Sequence, residues 1–350
     1  MLRIGIIGAG NIAQRHLKAY LANPEVKLVA VCDENAERAK ACAEANAMPR
    51  FYGSYRELLA DPEIDAVSVA TPTFTHKEIV TAALKSGKHV LCEKPPALNG
   101  EEALEIEQAA AQSDRVLMYG FVVRFSGYAK FLKTYVDAGK LGPIRYAEVS
   151  RVSRCNNIGG WFRDKSKSGG GELIDAAIHE LDLALYLMDY PKAVRVTGYA
   201  NSCNADLPDR LHGLKTIYAS VNNEKLPRTV ESFASGLVQF ENGASLYVRA
   251  GQILNTFRTG RMMELCGDKG AVLLDKQEVK LLSIDETGYF LEGAPRIPDD
   301  SDNFQNEINH FVDCCQGRAQ CICAVRHGTE IMKIISGIYR SAELGREVLL

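Results

Sequence analysis

The stretch from Leu2 to Asp33 restricts what this chain can fold into more than any other. Leu2-Arg3-Ile4-Gly5-Ile6-Ile7 is a short apolar run rich in β-branched residues, long enough for a buried parallel strand and too short for a helix. It runs into Gly8-Ala9-Gly10-Asn11-Ile12-Ala13, which fits the pattern G-x-G-x-x-[GA], and a helical stretch from Ile12 to Leu21 follows at once. In such a turn the first glycine permits the reversal, the second lets backbone approach a pyrophosphate, and the small last residue keeps the helix close to the sheet. The helix start at Gly10, Asn11 and Ile12 offers N–H groups and a positive dipole end to phosphates. A second apolar run, Val26 to Cys32, closes on Asp33, at the spacing of an acid that bonds the ribose hydroxyls of NAD. A carboxylate there repels a 2′-phosphate, so NAD is expected rather than NADP. A glycine-rich turn alone also describes an ordinary strand-to-helix loop; strand, turn, helix, strand and acid together point to a dinucleotide site.

Strand and helix go on alternating, as a doubly wound parallel sheet requires. Asn35 to Ala45 reads as a helix, on which Arg38 either reaches an adenine or faces water. The strand Ala66 to Ala70 delivers Thr71-Pro72-Thr73-Phe74-Thr75-His76 to the sheet edge where ligands of open α/β sheets bind. That segment reads as a helix-capping turn, or as a contact to the nicotinamide ribose through His76. Lys88 to Cys92 delivers Glu93-Lys94-Pro95-Pro96 to the same edge, where a half-buried lysine polarises a hydroxyl and a cis bond before Pro95 is allowed. Helix Gly100 to Ser113 and strand Val116 to Gly120 complete a first domain over residues 1–122.

Residues 123–350 change style. A helix from Tyr128 to Ala138 leads to longer strands of mixed polarity: Ile144 to Val152, Ala193 to Ala200, Glu231 to Phe240, Ala244 to Ala250, Met262 to Cys266, Ala271 to Leu274 and Val279 to Ser283. Asn242-Gly243 carries a two-residue hairpin signal, so this α+β domain is expected to hold a large open, mainly antiparallel sheet, with helices on one face. A bare sheet face predicts a homo-oligomer assembled across it. Helices Asn306 to Gln316 and Ala324 to Leu344 finish the chain.

A net charge of -3 gives no reason to expect nucleic acid or an anionic membrane surface as partner. No apolar segment is long enough to span a bilayer and the N-terminus carries no signal-peptide pattern, so a cytoplasmic protein is expected. The ten cysteines are scattered, and neither Cys314-Cys315 nor Cys321-x-Cys323 has the C-x2-C spacing of a structural zinc site. Reduced thiols and no metal are expected.

Ser168-Gly169-Gly170-Gly171 opens an expected helix from Glu172 to Met188. Ile174, Ala177, Ile178, Leu181, Ala184, Leu185 and Met188 share one face at helical spacing and form its core side. Asp175, His179 and Asp182 share another, at intervals that let their side chains meet. This is a polar solvent face, a metal-ligand pair without a third partner, or an aspartate orienting an imidazole as a general base; the glycines, which favour close backbone contact, weigh toward a site.

With Gly8-x-Gly10-x-x-Ala13, Glu93-Lys94-Pro95 and Gly169-Gly170-Gly171-x3-Asp175-x3-His179, the chain resembles the glucose-fructose oxidoreductase / inositol 2-dehydrogenase / rhizopine catabolism (Gfo/Idh/MocA) family over nearly its whole length. The resemblance implies a Rossmann domain followed by an α/β domain whose open sheet mediates dimers or tetramers. It also implies NAD(P)-dependent oxidation or reduction of a sugar, a cyclitol or a derivative such as a glycoside. By the same likeness Lys94 bonds substrate hydroxyl and nicotinamide ribose, Glu93 meets the ribose, His179 is the general base and Asp175 its partner. Thr71, Pro72 and His76 match a turn under the nicotinamide, Trp161 a tryptophan that approaches the cofactor, and Arg124 an arginine at the substrate. Trp161-Phe162-Arg163 stands where a Trp-Arg pair is usual, and Val122 and Val123 replace polar residues before Arg124. The expected reaction is hydride transfer between a secondary carbinol and NAD, with Lys94 and His179 as the acid/base pair. A glycoside-cleaving cycle on retained NAD and a non-catalytic NAD-binding sensor are the other readings. The stretch Asn204 to Thr229 is read as shaping the pocket or an oligomer contact.

Overall fold

The computed structural model describes residues 1–156, 158–202, 227–297 and 302–350, so most of the stretch 204–229 lies outside the described residues. The chain divides into two compact units.

The first unit is built on a six-stranded sheet of order β3-β2-β1-β4-β5-β6. Its strands are β1 (Leu2–Ile7), β2 (Val26–Cys32), β3 (Arg50–Tyr52), β4 (Ala66–Val69), β5 (His89–Glu93) and β6 (Leu117–Gly120). Every neighbouring pair is parallel. Between them run α1 (Asn11–Leu21), α2 (Ala36–Ala45), α3 (Tyr55–Ala60), α4 (His76–Lys85) and α5 (Gly100–Ala111). The near-continuous burial of β1, β4 and β5 follows from helices on both faces of the sheet. Strand order reverses between β1 and β4, and at such a switch point the carboxyl ends of strands leave a crevice for ligands. The three-residue β3, Arg50-Phe51-Tyr52, is too short for a hydrophobic pattern to mark.

By compactness residues 302–329 group with the first unit. The helix Asn303–Cys315 packs on α1, with the Asn23 side-chain amide donating to Asn309 (2.9 Å) and Gln305 donating to the Ala19 carbonyl (3.1 Å). Arg318 adds an ion pair to Glu25.

The second unit holds a nine-stranded sheet of order β14-β13-β12-β11-β7-β10-β9-β8-β15. These are β7 (Ile144–Val152), β8 (Ala193–Asn201), β9 (Phe233–Phe240), β10 (Ser245–Gly251), β11 (Gly260–Gly267), β12 (Gly270–Asp275), β13 (Glu278–Ile284), β14 (Phe290–Gly293) and β15 (Val348–Leu349). Among the described strands of this sheet only the pair β7 and β10 is parallel. Burial alternates along β9: Ala234, Gly236, Val238 and Phe240 face the core, Leu237 and Gln239 the outside. Residues 330–344 of the helix Val325–Leu344 belong to this unit, with Ile338 lying against Gly198 of β8 and Gly236 of β9. On the outer face Thr197, Leu237 and Tyr247 sit side by side in register.

The β9–β10 hairpin forms where Asn242-Gly243 marks it, but with three loop residues rather than two. Phe240 N–H bonds to Ala244 and Gly243 N–H returns to Phe240, with Gly243 at φ 83°. This is the type I turn closed by a left-handed glycine, the next commonest hairpin after the two-residue form. Also in this unit are α6 (Gly127–Asp137), α7 (Lys165–Ser168), α8 (Glu172–Asp175) and α9 (Ile178–Leu187). No helix among the described residues is long and apolar enough to cross a membrane.

Candidate active site

In the first unit the glycine loop does what its pattern requires. Gly8 sits at φ 94°, and a Cβ there would come within 2.6 Å of the Ala70 carbonyl, so the turn depends on glycine. A Cβ on Gly10 would meet nothing within 4 Å, leaving open space over the start of α1. That helix has no side-chain cap and no acidic residue in its first turn. Backbone N–H groups and dipole at Asn11 and Ile12 are thus left to an anion, and the features fit a pyrophosphate.

Asp33 ends β2, is 7% exposed, and accepts from the Ala9 amide and the Asn35 amide, both at 2.9 Å. Arg38 grips the same carboxylate through Nε (2.9 Å) and Nη2 (2.7 Å) while its side chain stays exposed to water, as expected. Burial opposes ionisation of Asp33, but Arg38 and the two amides outweigh it and hold the carboxyl below its ordinary range. A fixed anion at the end of β2 fits the ribose diol of NAD.

Thr71 and Pro72 leave β4 half-buried. His76 is 1% exposed, with Nδ1 2.9 Å from the Pro95 carbonyl and Nε2 2.9 Å from the Thr71 carbonyl. Both nitrogens are engaged by protein, so His76 is a clasp between the Thr71 turn and the loop of Lys94. Burial lowers its affinity for a proton, which the two carbonyls oppose. The Lys94–Pro95 peptide is cis and Lys94 is half-buried.

Glu93 belongs to a buried polar chain that the sequence reading overlooked. Its Oε1 lies 2.8 Å from His16 Nε2 and its Oε2 accepts the Lys94 amide at 3.1 Å. His16 Nδ1 meets Ser68 (3.2 Å), which meets the Tyr20 hydroxyl (2.8 Å). The carboxylate expected at a ribose is thereby anchored to α1. A signal existed: His16 and Tyr20 are polar-tipped residues four apart on the buried face of α1. Arg124, expected at the substrate, is 1% exposed, donates to the Ile322 carbonyl, and lies 3.1 Å from His327 Nδ1. So enclosed, it ties residues 322–327 to the end of the sheet.

In the second unit the expected helix 172–188 is two helices. The Ala177 amide reaches back five residues to Glu172 (2.8 Å) and the His179 amide only three to Ala176 (3.2 Å). This wide turn separates α8, which ends on Asp175, from α9, which carries His179 in its first turn. Wide turns of this kind recur at functional sites. Asp175 and His179 are half-buried, whereas Asp182 is buried and accepts the Tyr190 hydroxyl, so it leaves the expected trio. Ile174, Ala177, Ile178, Leu181, Ala184 and Leu185 form the core side as expected, whereas Met188 is only half-buried and Glu180 is buried, paired with Arg151 at 3.1 Å.

The close contact that the glycines permit is with the protein itself. A Cβ on Gly170 would fall 2.2 Å from the Tyr339 hydroxyl. The Gly171 amide donates to Glu231 Oε2 (2.7 Å), and Tyr339 donates to Glu231 Oε1 (2.9 Å). A buried carboxylate from the β9 side thus caps α8, a residue no local pattern around Gly169 to Gly171 reveals. Trp161 is half-buried and stacks on Phe162, ring centroids 3.8 Å apart, while Arg163 is buried.

These features define an NAD-binding oxidoreductase. Residues 2–121 match the Gfo/Idh/MocA model described as "Oxidoreductase family, NAD-binding Rossmann fold", and residues 133–350 the one described as "Oxidoreductase family, C-terminal alpha/beta domain"; the chain belongs to this family. Over 100% of its length it is 32% identical to D-glucoside 3-dehydrogenase of Escherichia coli, of which it covers 97%. Over 89% of its length it is 27% identical to scyllo-inositol 2-dehydrogenase (NAD(+)) of Bacillus subtilis, of which it covers 86%. Its fold matches the solved structure of levoglucosan dehydrogenase in complex with NADH and levoglucosan at a TM-score of 0.85 and 23% identity, over 99% of each chain.

Proposed function

We propose that the protein oxidises a secondary ring hydroxyl of a D-glucoside, at its 3-position, or of a closely related sugar or cyclitol. The observation that carries this is the end-to-end likeness to a D-glucoside 3-dehydrogenase. The chain carries Lys94, Asp175 and His179 at the positions that the motif resemblance assigns to the chemistry. NAD, when bound, supplies the hydride acceptor. The Lys94 ammonium stabilises the alkoxide that develops as the hydroxyl is oxidised, and His179 takes the hydroxyl proton. Asp175 keeps the imidazole oriented to accept it. Gly8, Gly10, Asn11, Ile12 and Asp33 hold the cofactor, with Thr71, Pro72 and Trp161 beside it, while Arg38, His76 and Glu93 fix the groups that touch it.

The test is turnover of methyl glucosides, free sugars and cyclitols with NAD by Lys94→Ala and His179→Ala. Loss of one preorganised electrostatic donor costs about 10²- to 10³-fold in kcat. A fall of that size in each variant, with NAD affinity kept, is expected; undiminished turnover removes the residue from the mechanism. Glycoside cleavage without NADH accumulating marks the retained-cofactor cycle instead. Tight NAD binding with no turnover of any polyol marks a sensor. We also infer that the outer face around Leu237 and Tyr247 is where copies of the chain assemble.

A further inference from the structure

We propose that His310, Cys314 and Cys321 form a binding site for one zinc ion. No C-x2-C pair marks it, because its parts come from two places. His310 and Cys314 lie four residues apart on the helix Asn303–Cys315, so both side chains rise from one face. Cys321 arrives from the segment after it, beyond a turn in which Gly317 takes φ 72°.

One ligand atom from each of the three residues lies within 4.8 Å of the others. A tetrahedral zinc ion with Zn–N of about 2.1 Å and Zn–S of about 2.3 Å sets its nitrogen and sulfur ligands about 3.6 Å apart, and two sulfurs about 3.8 Å apart. His310 Nε2 lies 3.4 Å from Cys314 Sγ, already near that spacing. Two thiolates and an imidazole form a soft donor set suited to zinc, and oxygen-seeking magnesium or calcium is excluded. Two thiolates balance the dication. Cys314 is buried while His310 and Cys321 are half-buried, so an ion has a path in and a water can complete the fourth position.

Supports around the donors are in place. The His310 ring packs against Phe125, ring centroids 5.5 Å apart. Its Nε2 accepts the Ile322 amide at 3.1 Å, and the ion would take over that lone pair, exchanging one neutral hydrogen bond for a stronger coordinate bond. The Cys321 segment is stitched to the sheet, with the Tyr119 amide donating to the Cys323 carbonyl (3.2 Å) and Arg124 to the Ile322 carbonyl. Zinc would therefore staple the returning segment to the helix before it, a structural role separate from hydride transfer.

The test uses the full-length chain, reduced, stripped with a chelator and freed of it, then titrated with zinc alone against a chromophoric competitor. One zinc per chain with submicromolar affinity is expected, with at least tenfold weaker binding in His310→Ala and none in the Cys314→Ser/Cys321→Ser double variant. Cobalt(II) added to the unaltered chain reports the site without a mutation: thiolate-to-metal charge-transfer absorbance with the visible bands of a tetrahedral ion is expected. A featureless octahedral cobalt spectrum overturns the proposal. So does equal zinc uptake by the double variant, or an unaltered chain that retains no zinc while its two thiols remain reduced.

Discussion

Replacing Glu307 by Gln isolates one buried proton. Glu307 lies on the helix Asn303–Cys315, is fully buried, and neither of its carboxyl oxygens has a hydrogen-bond partner among the described residues. Burial first, and then the charge of nearby Glu93, push its carboxyl well above the ordinary value of 4.5. Glu93 itself is held by His16, and Tyr20 completes the surrounding polar set. The unfolded chain releases the Glu307 proton near 4.5, whereas the folded chain keeps it well above that. The stability contributed by this group is thus fully present below pH 4.5 and is lost as pH rises toward the folded value. One retained proton changes the free energy of unfolding by about 1.4 kcal/mol per pH unit. Gln has nearly the same shape and no proton to lose. Urea midpoints of the two chains, measured at half-unit steps from acid to mildly alkaline pH, should nearly coincide near the ordinary carboxylate value. Above it the variant should become the more stable by about 1.4 kcal/mol for each unit, until the folded acid titrates. A gap that is constant with pH, or that widens toward acid, refutes a neutral buried Glu307.

Three further outcomes follow from contacts already described. Asp33→Ala removes the anchor of the Ala9 amide and releases Arg38; NAD should bind about 10- to 100-fold more weakly, the equivalent of one or two charged hydrogen bonds, and NADP should gain relative to NAD in equilibrium titrations. Glu231→Ala strands the buried Gly171 amide and the Tyr339 hydroxyl, so it should cost about 2–4 kcal/mol in denaturant titrations and lower kcat, with Glu231→Gln recovering part of both. Leu237→Asp, on the outer sheet face, should shift the chain toward monomers in light scattering if copies assemble there.

What could be read in advance was what local patterns encode. The run from β1 through Gly8 and Gly10 to Asp33 was legible because tight turn, phosphate approach and ribose acid all fall within one stretch of sequence. The antiparallel second sheet was legible from its alternating strands, though the three-residue loop at Asn242-Gly243 was not, since the same dipeptide serves both turn types. The break after Asp175 was hidden because Ala176 and Ala177 are strong helix formers; tertiary packing imposed the wide turn. His16 on Glu93, Arg124 on Ile322, Glu231 beneath Gly171 and His310 beside Cys321 are separated by 77, 198, 60 and 11 positions, and such partners are set by the fold, not by spacing.

The proposed reaction is tested most directly by following one hydrogen. The purified chain is given NAD and methyl glucoside carrying deuterium on the ring carbon of the 3-hydroxyl, and the reduced cofactor is analysed by mass and proton NMR. Deuterium at the nicotinamide 4-position, with a primary isotope effect that survives in the residual turnover of His179→Ala, is the predicted result. Reduced cofactor without deuterium, or no reduced cofactor and no oxidised glucoside at all, would contradict it.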